Sequence, residues 1–221
     1  MKAVADDVFL LSGFPPNAFN VYLMGGVLVD AGTRWASRRI TRQLTGRDVT
    51  ANVLTHGHQD HQGSSRVLHD SLGLPVWCGE GDAEAVETGN MKLVNVDNMV
   101  TRMGARLWAG PAVPVARRLK EGDEVGGFTV LDASGHTPGQ IGFWRERDRV
   151  LVIGDAARNI SFVSGRTMLG ELPSPLCVDL PKSRETLHRL AALAPALVLF
   201  GHGPPLRKAE KFVRFVEGLP R

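Results

Sequence analysis

Thr55-His56-Gly57-His58-Gln59-Asp60-His61-Gln62-Gly63 gathers three histidines and an aspartate into six residues, His56 to His61. Upstream, Asn52-Val53-Leu54-Thr55 reads as a short strand; downstream, Ser64 to Leu72 reads as a helix ended by Gly73. The cluster therefore lies on a strand-to-helix turn. In extended backbone, residues two apart share a face, so His56 and His58 point the same way. Asp60 and His61 fall where the chain must turn, which lets adjacent side chains diverge into a second set. Imidazole and carboxylate donors suit zinc first, then iron or manganese. The spacing is unlike the helical His-Glu-x-x-His of zinc proteases, which relies on an i, i+4 face. An expression tag is the bland explanation, but a tag would be terminal and would not follow a strand.

Working outward, the same arrangement recurs. His136 stands in Ser134-Gly135-His136-Thr137-Pro138-Gly139 and His202 in Phe200-Gly201-His202-Gly203-Pro204, each after an expected strand. Asp155 follows Gly154 at the end of the apolar run Val150 to Ile153. Glycine beside a ligand lets backbone approach without a Cβ clash. Open α/β sheets place their sites at the carboxyl ends of strands, and every candidate donor sits at such an end. The two other histidines, His69 and His188, fall within expected helices and are read as non-ligands.

Val8 to Leu11, Val21 to Met24 and Val27 to Val29 read as strands in antiparallel hairpins, punctuated by Gly13, Pro15, Pro16, Gly25 and Gly26. Arg38 to Leu44 fits a helix and Pro75 to Cys78 a strand. A ladder follows: Phe128 to Leu131, Ile141 to Trp144 and Val150 to Ile153. Ser183 to Leu193 is an expected helix with Ser183 as N-cap, Val198 to Phe200 a strand, and Leu206 to Glu217 the last helix. Val27-Leu28-Val29-Asp30 and Val150 to Asp155 echo each other, as a duplicated β-rich unit would. Residues 90–116 are the least regular stretch. Two readings stand: Met91, Met99, Met103 and Trp108 cover core beneath a long connection, or they form the apolar surface of a lid or wall, with Arg102 and Arg106 facing an anionic group.

The 221 residues, 43% of them apolar, suffice for one layered α/β domain over 1–221. No stretch approaches the roughly 18 apolar residues of a membrane span. Asp6 and Asp7 stand where a signal peptide would hold its apolar run, so a cytoplasmic protein is expected. Cys78 and Cys177 lie far apart and read as free thiols. Part of the net charge of +3 lies in Arg207, Lys208, Lys211 and Arg214, interleaved with Leu206, Ala209, Phe212, Val213 and Val216. That spacing describes the solvated face of a helix better than a nucleic-acid surface. The expected partner is a small-molecule substrate, with neither nucleic acid nor membrane; the oligomeric state stays open.

With these motifs in order, the chain resembles the metallo-β-lactamase superfamily over nearly its whole length. The resemblance rests on Asp30, His56-x-His58-x-Asp60-His61, His136, Asp155 and His202, and on Gly122-Asp123 through Gly127 to His136-Thr137-Pro138-Gly139. It implies a four-layer αββα sandwich, two mixed sheets with outer helices. It implies two zinc ions, with iron or manganese as alternatives. His56, His58 and His136 would hold the first, Asp60, His61 and His202 the second, and Asp155 would bridge. Asp30 would orient a ligand from behind. Asp60 also stands as the candidate catalytic residue. In such a hydrolase a water between the ions, its pKa lowered towards ~7, attacks as hydroxide on the ester, thioester, lactone or related bond of a small molecule.

Departures from subfamily patterns narrow this. Gln140 stands where many members have a further histidine. β-Lactamases of the fold lack the bridging aspartate and are secreted. Quorum-sensing lactonases use a tyrosine after the bridge, whereas the one tyrosine here is Tyr22. Glyoxalase II adds a helical extension after its last histidine, and residues 203–221 are short for one, so a glyoxalase II-like core is the nearest description. The alternative is an iron-dependent persulfide dioxygenase, which keeps these motifs with one iron. Flavodiiron reductases have glutamate at the position of His58.

Overall fold

The computed structural model describes residues 1–208 and 210–220. Two mixed sheets carry the fold. The first has seven strands: Lys2–Ala5 (β1), Val8–Leu10 (β2), Tyr22–Met24 (β3), Val27–Val29 (β4), Ala51–Val53 (β5), Val76–Gly79 (β6) and Val115–Leu119 (β7), in that spatial order. β1 to β4 are antiparallel neighbours, whereas β4 to β7 pair in parallel. The second has Glu124–Val125 (β8), Phe128–Asp132 (β9), Ile141–Arg145 (β10), Val150–Val152 (β11) and Leu197–Leu199 (β12). Here β8 to β11 are antiparallel and β11 pairs with β12 in parallel. The echo between Val27–Asp30 and Val150–Asp155 thus has a physical form: β4 and β11 each end an antiparallel run and begin a parallel one.

Alternation along the strands sorts side chains between layers, since successive residues point to opposite faces. Val27 and Val29 of β4 and Val150 and Val152 of β11 face one another's sheets, in a core with Tyr22, Met24, Phe128, Val130, Phe143 and Leu199. Leu28 points the other way, onto the helices Ser37–Leu44 (α1) and Ser65–Leu72 (α2) through Ile40, Leu44 and Leu68. Leu151 and Val198 likewise meet Leu187, Leu190, Phe212 and Val216. These belong to the helices Leu180–Ala192, called α5 below, and Glu210–Glu217, called α6. Three apolar layers between four structural ones make the αββα sandwich. Two further helices are Ala83–Thr88 (α3) and Met99–Trp108 (α4). Among the described residues no helix is long and apolar enough to cross a membrane.

Several elements differ from the sequence reading. The stretch 90–116 holds α4, opened by Asn98, whose side chain accepts from the backbone of Val100 and Thr101 while Thr101 Oγ1 accepts from Asn98 N–H. That reciprocal cap uses threonine where the usual signature has Glu or Gln. Met99, Val100, Met103 and Leu107 of this helix are exposed, so its apolar periodicity does not mark a buried stripe. Ser183 is not the N-cap of α5 but lies buried inside it; Asp179 caps, accepting from Lys182 N–H at 2.9 Å, with Pro181 in the first turn. The last helix begins at Glu210 rather than Leu206, because Leu206 bridges to Val198 as a strand residue; Ala209 lies outside the described residues. Strands β1, β7 and β8 and helix α3 were not apparent from pattern, being short or strongly polar. Cys78 and Cys177 are buried and unpaired.

Candidate metal centre

β5, β9, β11 and β12 deliver their carboxyl ends to one edge of the sandwich, and the candidate donors follow them. His56, His58, Asp60 and His61 come after β5 of the first sheet. His136 after β9, Asp155 after β11 and His202 after β12 come from the second. Their donor atoms gather into three groups, each lying within 4.8 Å: His56, His58 and His136; His56, His61 and Asp155; Asp60, His61 and His202. Asp155 Oδ2 lies 3.0 Å from His202 Nε2, 3.6 Å from His61 Nε2 and 3.7 Å from His136 Nε2. Asp60 Oδ2 is 3.4 Å from His202 Nε2. His69 and His188 belong to none of these groups; His69 Nδ1 is turned to the carbonyl of Leu74.

Four of the five imidazoles have one nitrogen anchored outside the cluster and the other left to face it. His56 Nδ1 is 3.1 Å from Thr55 Oγ1, and His61 Nδ1 is 2.9 Å from Asp30 Oδ2. His58 Nε2 meets the Val94 carbonyl at 2.9 Å, and His202 Nδ1 meets that of Ala18. Anchoring of this kind sets tautomer and ring orientation. Asp30 is itself fixed by Thr55, which donates its backbone N–H to Oδ1 at 2.8 Å and its hydroxyl to Oδ2 at 2.9 Å. The cluster-facing atoms His56 Nε2, His61 Nε2, His136 Nε2 and Asp155 Oδ1 are buried without a hydrogen-bond partner. Native interiors rarely leave such atoms unpaired without an ion or water to take them. Metal cations fit this buried set of imidazole and carboxylate donors.

The electrostatics agree. Burial holds His56, His58 and His136 below the usual imidazole range, His136 down to about 3, which keeps them neutral, the form in which imidazole binds metal. Burial opposes charge on His61 and His202 as well, but Asp155 overrides it and raises both, His202 to about 10. Burial likewise opposes ionisation of Asp155 and Asp60, yet His202 and His61 hold both low, Asp60 at about 2. The carboxylates are therefore arranged to receive positive charge.

Glycine permits the closest approach. A Cβ on Gly201 would stand 2.1 Å from Asp155 Oδ1 and 2.7 Å from His61 Cε1, so any side chain there would displace the donors. Gln140, the departure noted in the sequence, is buried and donates to the Ala133 carbonyl at 3.1 Å, away from the donor groups.

One functional residue was missed. Asp82, just after β6, is fully buried and accepts from Gly57 N–H at 2.7 Å, Thr137 Oγ1–H at 2.7 Å and Gly139 N–H at 2.6 Å. It ties the loop bearing His56 and His58 to the loop bearing His136. Burial raises its carboxyl, and the three donors act against that rise. An acid following Gly81 after a strand matches Gly154-Asp155, the signal that could have found it. Asp82→Asn turns a donor towards donors, and should weaken metal binding about 10–100-fold. It should also cost about 3 kcal/mol of stability through unsatisfied buried N–H groups. Chelator competition and urea denaturation would measure the two; an unchanged affinity would show that the tie has no bearing on the centre.

Above the donors lies a cavity of about 660 Å³. Part of its wall is the α4 face of Val100, Thr101, Gly104 and Trp108, so the irregular stretch does wall the site, by other residues than expected. Met91 is buried, Met99 and Met103 are exposed, and Arg102 is paired with Asp97 at 2.6 Å. Neither Arg102 nor Arg106 lines the cavity.

Comparisons with known proteins agree with this geometry. The family model for the metallo-beta-lactamase superfamily matches residues 16–202. The protein named probable metallo-hydrolase YflN of Bacillus subtilis is 27% identical over 203 residues, covering 81% of this chain and 76% of its own. A hydroxyacylglutathione hydrolase of Bdellovibrio bacteriovorus is 26% identical over 158 residues, 69% of this chain but 48% of its own. A crystal structure of TTHA1623 in a di-iron-bound form superposes with a TM-score of 0.63 at 28% identity, covering 94% of this chain and 92% of that one. The chain belongs to the metallo-beta-lactamase superfamily.

Proposed function

We propose that this chain is a dinuclear metal-dependent hydrolase of the ester, thioester, lactone or related bond of a small molecule. The observation that carries the reading is the convergence of seven donors from two sheets, five of which line one cavity, with most of the imidazoles anchored behind. His56, His58 and His136 would hold one ion, Asp60, His61 and His202 the other, with Asp155 between. Ions held there supply Lewis acidity and an activated water. Asp60 lines the cavity and, with its carboxyl held at about 2, stays ionised at neutral pH. It can accept a hydrogen bond from the attacking water and orient it, but it cannot deliver a proton to a leaving group. Among the described residues the other carboxyl group lining the cavity is that of Asp155, also held ionised, so neither carboxylate is placed to deliver that proton.

Zinc is the first choice of metal, and iron is supported by the di-iron form of TTHA1623. Expression in metal-supplemented medium, elemental analysis and a panel of esters, thioesters, lactones, β-lactams and phosphodiesters test the reading. Two ions per chain with turnover of a carboxylic ester, thioester or lactone is the expected result. A single iron with oxygen-dependent consumption of a persulfide would replace it with the dioxygenase reading.

A further inference from the structure

The walls of the cavity carry information about the substrate that the metal donors do not. Aromatic rings crowd these walls: Phe19 and Phe162 lie with ring centroids 5.7 and 5.4 Å from that of His202, and Trp108 is 5.3 Å from Phe19. Pro15, Ile160, Leu172 and Leu176 continue the apolar lining. Among the described residues no lysine or arginine lines it.

Nearby arginines contact other groups of the chain, although Arg158 Nε is buried without a hydrogen-bond partner. Arg158 lies 5.1 Å from the centroid of the Phe162 ring and donates to the Ile160 carbonyl. Arg102 pairs with Asp97, and Arg34 donates to the Arg106 carbonyl at 3.2 Å. The polar groups of the wall are engaged in part, Asn95 Oδ1 being left buried without a partner. Thr101 donates to the Val96 carbonyl at 2.5 Å, Ser161 Oγ accepts from Ser164 N–H at 3.2 Å, and Asn95 donates to Gln59 at 3.1 Å.

A substrate whose distal part carries a carboxylate or phosphate would lose its hydration here and find no cation in return, a large penalty. An apolar tail gains from the same surface. We infer that the site selects an uncharged substrate with an apolar acyl or aryl part, held by Phe19, Trp108 and Phe162, and excludes acyl groups borne on multiply anionic carriers. This rests on the proposed hydrolase reading for its reacting bond, but the wall's preference can be measured apart from turnover.

The test uses the metal-loaded protein. Binding of neutral primary alkyl amides from butanamide to decanamide, which resist hydrolysis, is measured by calorimetry. In parallel, kcat/KM is measured for phenyl esters of the same acids and for their ω-carboxylated counterparts. Amide affinity should rise about three- to fourfold per added methylene over the first several carbons. Trp108→Ala should flatten that rise, and the ω-carboxylated esters should be turned over at least tenfold more slowly than the neutral ones. Affinity independent of chain length, or ω-carboxylated esters preferred and that preference lost in Arg158→Gln, would overturn the inference while leaving hydrolysis standing. A chain-length-dependent affinity with no ester, thioester or lactone turned over would uphold the wall's preference and sink the hydrolase reading instead.

Discussion

Asp155→Ala should lose metal from both positions and more than about a hundredfold of turnover, beyond the 10–100-fold that changes behind the ligands give. No other carboxylate among the candidate donors lies within 4 Å of histidines from both outer groups: His136 at 3.7 Å, and His61 and His202 at 3.6 and 3.0 Å. Without it, His61 and His202 lose the carboxylate that both approach. If the alanine variant does not fold, Asp155→Asn keeps the shape and removes the charge alone. Elemental analysis beside the ester assay decides the matter. Two ions retained at full turnover in either variant would refute the assignment. His69→Ala and His188→Ala, outside every donor group, should leave metal content unchanged.

The second large effect is on stability when metal is withdrawn. In the chelated protein, His56, His58 and His136 are held below the usual range, while an unfolded chain takes up protons on them from about pH 6.5 downward. The unfolded state then binds more protons, so stability falls as pH drops below that value. His61 and His202 are raised, so the stability they contribute is fully present below about pH 6.5 and is lost as pH rises above it, for His202 towards about 10. The carboxylates, held low, add a loss only as pH falls below about 4. The melting temperature of the chelated protein should therefore peak near pH 6.5 and fall on both sides.

Metal changes that profile because it competes with protons for the same nitrogens. Two ions each at a hundred times their dissociation constant add about 5 kcal/mol, roughly 10–20 °C for a chain of this size. The gain should be larger at pH 8 than at pH 5.5. Calorimetric scans with chelator and with added zinc across that range would show it. A metal-induced shift that is equal at both pH values would mean that the ions do not displace these protons.

What was legible in the sequence follows from which features are local. Three histidines and an aspartate on one turn announce themselves by spacing, and β4, β11 and β12 by apolar runs of valine and leucine. Partners distant in sequence do not: Asp82 and Gly139 are 57 residues apart, and the Ala18 carbonyl reaches His202 across 184. α4 was hidden for another reason. Met99, Met103 and Leu107 are exposed, and Gly104 at its centre reads as a breaker. Yet a Cβ there would come within 3.0 Å of the Gln59 amide, so glycine lets the helix lie close over the donor loop. The aromatic wall was hidden too, since Phe19, Trp108 and Phe162 come from three separate segments.

Each outer donor group draws from both sheets: His56 and His58 with His136, Asp60 and His61 with His202. An ion in either place is consequently a rivet through the sandwich, and parting the two layers means giving up the ion. If the chain were cut in the connection Lys120 to Asp123 between β7 and β8, one fragment would keep four donors and the other three. Neither fragment would hold a complete set. The two would be expected to rejoin tightly with divalent cation present and to drift apart under chelation, making cohesion of the halves itself a reporter of the metal.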